Sequence, residues 1–230
     1  LEECPAGLVI ETSSGAAAKP YVTLTYARGT VSASGIEGAV SIGTLLPYGT
    51  TIRTEENSYA GVLFPDEVYV LIKPLSEVVL SQPSGEKARK KGVLDQIELM
   101  TGRLWVKVRK RVVDPKLPVF VIRAYDSVAG VRGTGFRMQV EKKRRMSQVE
   151  TLSGKVSLAS PAGTVLTAKN QGARIVGDAK PLGPVALPPA PSKLRPIQGA
   201  HRLPLTLRWE NSESAVRYLL EIARDVQFRQ

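Results

Sequence analysis

The stretch Gly102-Arg103-Leu104-Trp105-Val106-Lys107-Val108-Arg109 alternates regularly once past its glycine. Leu104, Val106 and Val108 occupy one phase; Trp105, Lys107 and Arg109 occupy the other. Successive side chains of an extended chain point to opposite faces, so this reads as a strand with one buried face and one basic face. The same period of two starts at Tyr21, where Val22, Leu24 and Tyr26 alternate with Thr and Ala, and continues through 30–34 and 39–42. Further runs rich in Val, Leu, Ile and Tyr lie at 59–64, 68–72, 78–80, 93–100, 119–122, 136–140, 149–152, 156–158 and 165–168. Gly49, Pro65 and Pro74 interrupt them. No convincing amphipathic helix precedes residue 210. Many short strands with frequent turn residues predict an all-β fold.

A weak repeat runs through this pattern. Gly29-Thr30-Val31, Gly102-Arg103-Leu104-Trp105-Val106 and Gly154-Lys155-Val156-Ser157-Leu158 share a glycine followed by alternating apolar residues. Each glycine can supply the positive φ of a tight turn ahead of a strand. The spacings are unequal, which excludes a regular solenoid array and leaves stacked hairpins with insertions.

The 230 residues carry 32 Lys and Arg against 21 Asp and Glu, a formal charge of +11, with 43% hydrophobic and 23% charged residues. That balance is globular and excludes a wholly disordered chain. Residues 82–150 hold 17 of the cations and 7 of the anions, a surplus of ten, so the rest of the chain is almost neutral. The surplus falls in three clusters. They are Lys87, Arg89, Lys90 and Lys91, then Lys107, Arg109, Lys110 and Arg111, then Lys142, Lys143, Arg144 and Arg145. Each sits at or beside a strand-like run, so each is placed at a strand end or in a loop. Such clusters either attract an anionic partner or act as solvated hairpin tips.

One cysteine and one histidine restrict the chemistry. An internal disulfide, a thiolate zinc site and a multi-histidine metal site cannot be built from this chain. No histidine lies between residues 28 and 176, so a Ser-His-Asp relay is excluded there, and His201 reads as a surface or packing residue. Gly130, Gly133 and Gly135 could suggest a phosphate loop, but a strand follows where a helix would be needed, so they read as turn glycines. Asp66 and Glu67 are neighbours that point apart on a strand or turn. No cofactor, metal site or catalytic residue is expected, and the chain is read as not an enzyme.

Composition also marks boundaries. Residues 1–20 read as a flexible lead-in, with Cys4 an idle thiol. The chain starts at Leu rather than Met, which suggests that a leader or an upstream domain has been removed or left out, and no stretch of apolar residues is long enough to span a membrane. Residues 178–196 hold Pro181, Pro184, Pro188, Pro189, Pro191 and Pro196 and read as a semi-rigid linker. Beyond it, 204–209 reads as a strand. Residues 215–223 fit strand alternation better than a helical face. The segment 197–230 is too short to complete a β domain.

Residues 28–176 resemble the FecR domain family. The resemblance is carried by Gly43-Thr44, residues 49–54, a strand over 58–64 and residues 74–80. Gly102-Arg-Leu-Trp105 and Val119-Phe-Val-Ile-Arg123 follow, and above all Gly130-Val-Arg-Gly-Thr-Gly-Phe136. Val149-Glu-Thr-Leu-Ser-Gly-Lys-Val156 and residues 167–174 close it. One departure is Asp66-Glu67, where the family usually has Asp-Gly. Residues 197–230 are similar to the first strands of a fibronectin type III-like sandwich, through Leu207-Arg-Trp209 and residues 218–228.

The resemblance implies an exported, periplasmic, twisted β-solenoid-like domain over 21–177. A partial β-sandwich would follow at the C-terminus. Some members of the family regulate iron-uptake sigma factors, and others are coupled to peptidoglycan-binding modules. We therefore expect a structural or binding module of the bacterial envelope. Its basic face would meet peptidoglycan, another anionic polymer or a partner protein, through Trp105, Lys107, Arg109, Lys110, Arg111, Lys142, Lys143, Arg144 and Arg145. The alternative is a periplasmic signal-transduction domain that pairs strands with an outer-membrane receptor. Nucleic-acid binding is a third class suggested by charge, but no recognition motif accompanies it.

Overall fold

The computed structural model describes residues 21–65, 67–81, 95–108, 120–196, 204–212, 218 and 220. The expected lead-in, the first basic cluster, His201 and most of the C-terminal segment lie outside these residues.

The described chain is all-β. Its strands are β1 (Tyr21–Arg28), β2 (Val31–Ala33), β3 (Leu45–Pro47), β4 (Thr51–Thr54), β5 (Tyr59–Leu63), β6 (Val68–Ile72) and β7 (Ser76–Ser81). The longer β8 (Asp95–Val108), β9 (Phe120–Ala124), β10 (Ser127–Glu141) and β11 (Met146–Ser160) follow. The last are β12 (Gly163–Ala168), β13 (Gln171–Val176) and β14 (Leu182–Ala186). Pairing is antiparallel except between β8 and β9.

Three long strands organise the fold by changing partners halfway. The first half of β8 pairs with β7 and β9, and its second half with β6 and β10. The first half of β10 pairs with β9, and its second half with β8. β11 lies beside β13 at its start and β12 at its end. The halves thus form two sheets. One runs β14-β13-β11-β10-β8-β6-β5-β1-β3, and the other β12-β11-β10-β9-β8-β7-β4-β2. Strands that bend from one sheet into another form corners of this kind, and bulges or glycines permit the bend. Gly102 (φ +102) bends β8 and Gly154 (φ +75) bends β11. In β10, register shifts at Arg132/Gly135 and Gly135/Phe136 do the same.

The inward phases close on one core. Val22, Leu24, Val62 and Val70 come from the first sheet; Ile52, Val78, Leu80 and Ile122 come from the second. Phe64 and Phe120 meet edge to face at 5.2 Å across the two layers. Each such side chain contributes roughly 1.5–3 kcal/mol through burial.

Several expectations are corrected. Gly130-Val-Arg-Gly-Thr-Gly-Phe136 is no tight turn: it lies inside β10, and Gly135 accepts the close approach of Ser153, whose Oγ takes the Gly135 N–H at 2.8 Å. Gly102 and Gly154 likewise bend strands rather than precede them. Residues 39–42 alternate but form no strand. Positive φ at Gly38 and Gly43 makes this a loop, with Val40 buried as its anchor and Ile42 exposed. Part of the proline-rich segment is the strand β14, on the outer edge of its sheet, where Pro184 deprives no neighbour of a hydrogen bond. Residues 204–209 make only an isolated bridge, Arg195 with Arg208. Trp209 packs on Tyr218 at 5.6 Å. At the departure Asp66-Glu67, Glu67 takes the left-handed φ of +59 that glycine adopts most readily.

Candidate functional site

The outward phase of the first sheet forms a continuous row across the strands. Tyr26 stands opposite Gly61, Gly61 opposite Leu71, Leu71 opposite Trp105, Trp105 opposite Arg137, and Arg137 opposite Glu150. Trp105 is therefore half-buried between Leu71 and Arg137, not an isolated exposed ring. Leu104, Val106 and Val108 are buried, so the alternation read from the sequence holds. Lys107 is exposed in the next row, opposite Tyr69 and Gly135. Arg109, Lys110 and Arg111 lie outside the described residues.

Near one end of this row Gly61 has no side chain because there is no room for one. A Cβ there would come within 2.6 Å of the Tyr69 hydroxyl and 2.9 Å of Tyr26 Cβ. Burial, reinforced by the neighbouring Tyr26, pushes the Tyr69 hydroxyl up from 10.0 to about 12.

Lys142, Lys143, Arg144 and Arg145 form the tip of the β10–β11 hairpin, a 3₁₀ turn over Lys142–Arg144 closed by Arg145 at φ +46. All four are exposed. Arg145 pairs with Asp126, and Arg144 with Glu141 at 3.5 Å. Lys142 and Lys143 therefore carry the outward charge of a braced tip. Lys107 is opposite Gly135 on β10, seven residues from Lys142. At about 3.3 Å per residue the two groups are roughly 23 Å apart along the strand. Among the described residues, Lys107 and the hairpin tip do not converge on one point.

Between Lys107 and the hairpin tip lies a cleft of about 440 Å³. Its floor is Arg103 on β8, Arg137 and Gln139 on β10, and Gln148 and Glu150 on β11. The turns at 56–57 and 73–75 form its rim. Arg137 and Glu150 are 3.7 Å apart. Gln139 Nε2 donates to Glu141 and Gln148 Nε2 to Glu150, at 3.0 and 3.2 Å. Lys73 stands 5.6 Å over the Tyr59 ring. These residues were not singled out from the sequence. Their signal was the outward phase of three strands, legible only once β8 is known to lie beside β10.

Among the described residues no group of three or more His, Cys, Asp and Glu could hold a metal ion, and no helix is long and apolar enough to cross a membrane. What the fold and this surface define is an all-β domain with a braced basic hairpin and a polar cleft. Residues 50–157 match the family described as FecR protein. A putative anti-sigma factor from Parabacteroides distasonis ATCC 8503, solved at 2.50 Å and at 1.65 Å, is similar in structure. The two structures are 17% and 18% identical to this chain, with TM-scores of 0.46 and 0.45. The match covers 57% of this chain and 57% of that chain, so this chain spans little more than half the length of those structures. No curated protein matches the chain.

Proposed function

We propose that the chain is a non-enzymatic binding module of the bacterial cell envelope, working in the periplasm. Its basic residues contact peptidoglycan, another anionic polymer or a partner protein. The observation that supports this best is the hairpin tip. Ion pairs from Arg144 and Arg145 brace it, and they leave Lys142 and Lys143 projecting into solvent. A charge held on a rigid projection loses little entropy when it meets a polyanion. Co-sedimentation with purified peptidoglycan tests the reading. The double variant Lys142→Glu and Lys143→Glu is expected to stay in the supernatant while the native chain pellets. Equal pelleting would remove the polymer contact.

The second reading is a periplasmic signal-transduction domain, and the FecR family match favours it. On this reading the partner is a protein. The gene discriminates the two: an anti-sigma segment and a membrane helix encoded upstream support signalling, and their absence counts against it.

A further inference from the structure

We propose that the cleft between Lys107 and the hairpin tip docks a short acidic peptide segment of a partner protein. Its carboxylate would be held by Arg103 beside Lys73, and its apolar neighbour would rest on Leu75. The proposal rests on reading the chain as a binding module, but on different residues from the hairpin tip.

Three observations converge. First, the volume of about 440 Å³ lies within the range of small-ligand sites, and the lining mixes charge with amide groups. Arg103 is an exposed guanidinium, a planar fork that suits a carboxylate, and Lys73 adds a second cation. Each glutamine amide donates one hydrogen bond, to Glu141 or to Glu150, and its carbonyl can accept a peptide N–H.

Second, the rim is strained. Leu75 adopts φ +56, which leucine rarely does, and the same turn leaves the side chain 62% exposed. An exposed large apolar residue in a costly backbone conformation is no product of core packing. Strain of this kind is concentrated at ligand sites, where surrounding contacts over-determine it.

Third, those contacts are present. Thr54 Oγ1 donates to the Lys73 carbonyl at 2.7 Å and accepts the Ser76 N–H at 3.1 Å. The Leu75 N–H reaches the Glu55 carbonyl at 3.3 Å. Ser76 Oγ accepts the Arg103 N–H at 3.0 Å, which ties the rim to the floor. Leu75 and Arg103 are thus held in one rigid frame.

Fluorescence anisotropy tests the proposal with a labelled acetyl-Leu-Glu-Glu-Leu-amide peptide and its acetyl-Leu-Gln-Gln-Leu-amide twin. The acidic peptide is expected to bind saturably and about tenfold or more tightly than its twin, with Arg103→Gln erasing the difference. Leu75→Gly removes the strained side chain, so it is expected to raise the melting temperature and yet weaken binding. The Lys142→Glu and Lys143→Glu variant is expected to bind the peptide as the native chain does, so failure of the hairpin reading and failure of this one are read separately. The proposal is overturned by absent saturable binding, by equal affinity for the twins, or by Leu75→Gly binding as tightly as the native chain. Displacement of the peptide by an N-acetylglucosamine oligomer would also overturn it, as that makes the cleft a glycan site.

Discussion

The backbone N–H of Arg103 donates to Ser76 Oγ at 3.0 Å, and Gly102 is the residue that lets the two strands come so close. A Cβ at position 102 would sit 2.2 Å from Ser76 Oγ and 2.5 Å from Ser76 Cα. The arrangement occurs twice. Thr30 N–H donates to Ser58 Oγ at 2.9 Å, and a Cβ on Gly29 would sit 2.4 Å from that oxygen. Both serine hydroxyls also donate to a carbonyl two residues back, Glu56 for Ser58 and Pro74 for Ser76. Two of the three glycine repeats in the sequence therefore share one solution: glycine at positive φ, and a buried serine capping the next N–H.

Gly102→Ala is expected to destabilise by about 3 kcal/mol or more, since it combines a forced φ with a backbone clash. Ser76→Ala is expected to cost about 1–3 kcal/mol, because the Arg103 N–H loses its acceptor in a half-buried position. The double variant should cost less than the sum, as both changes break one contact. Urea unfolding of the four proteins measures this; strict additivity would show that the contact carries no coupling.

Tyr69 sets an alkaline limit. Its hydroxyl is raised from 10.0 to about 12, by burial first and by Tyr26 second. The folded state holds the proton more tightly than the unfolded chain. Below pH 10 both states are neutral and the group makes no difference. Between about pH 10 and 12 the unfolded chain ionises first, so stability falls as pH rises through that window. Tyr69→Phe is expected to flatten that part of the pH profile. Gly61→Ala, which pushes the ring away, should bring the Tyr69 titration back toward 10.0. Ultraviolet difference titration reads both.

Thr134 Oγ1 is buried with no hydrogen-bond partner among the described residues. Valine has nearly the same shape and no hydroxyl to desolvate. Thr134→Val is therefore expected to stabilise by about 1 kcal/mol, and Thr134→Ser, which keeps the hydroxyl and opens a gap, to destabilise. A fall in melting temperature for the valine variant would mean that the hydroxyl has an acceptor.

The strand phases were legible because each buried residue announces itself by alternation; 104, 106 and 108 are an example. Strand lengths were not. A positive-φ glycine looks the same in sequence whether it ends a strand or bends one. What makes Gly102 a bend is Ser76 pressing on it from β7, a contact between distant segments. The cleft was hidden for the same reason. Arg103, Gln139 and Gln148 are neighbours only through the pairing of β8 with β10 and of β10 with β11. The basic tip at 142–145 was visible as a charge run. That Arg144 and Arg145 are spent on Glu141 and Asp126 was not.

Arg145 closes the hairpin tip, and its side chain and backbone pull in different directions. Its N–H donates to the Lys142 carbonyl at 3.1 Å, and its own carbonyl accepts from Gly177 at 2.8 Å, so φ +46 is fixed by both neighbours. The ion pair with Asp126 is exposed on both sides, and such pairs contribute about 0–1 kcal/mol. The left-handed backbone costs a residue with a Cβ about 1–2 kcal/mol. Arg145→Ala loses the ion pair and keeps the backbone cost, so it is expected to destabilise. Arg145→Gly loses the same pair but relieves the backbone, so it should be neutral or stabilising despite removing the charge. Thermal melts at low and high salt separate the terms. Salt should narrow the gap between native and alanine proteins and leave the gap between alanine and glycine unchanged. A glycine variant no more stable than the alanine variant would show that the tip is not held left-handed.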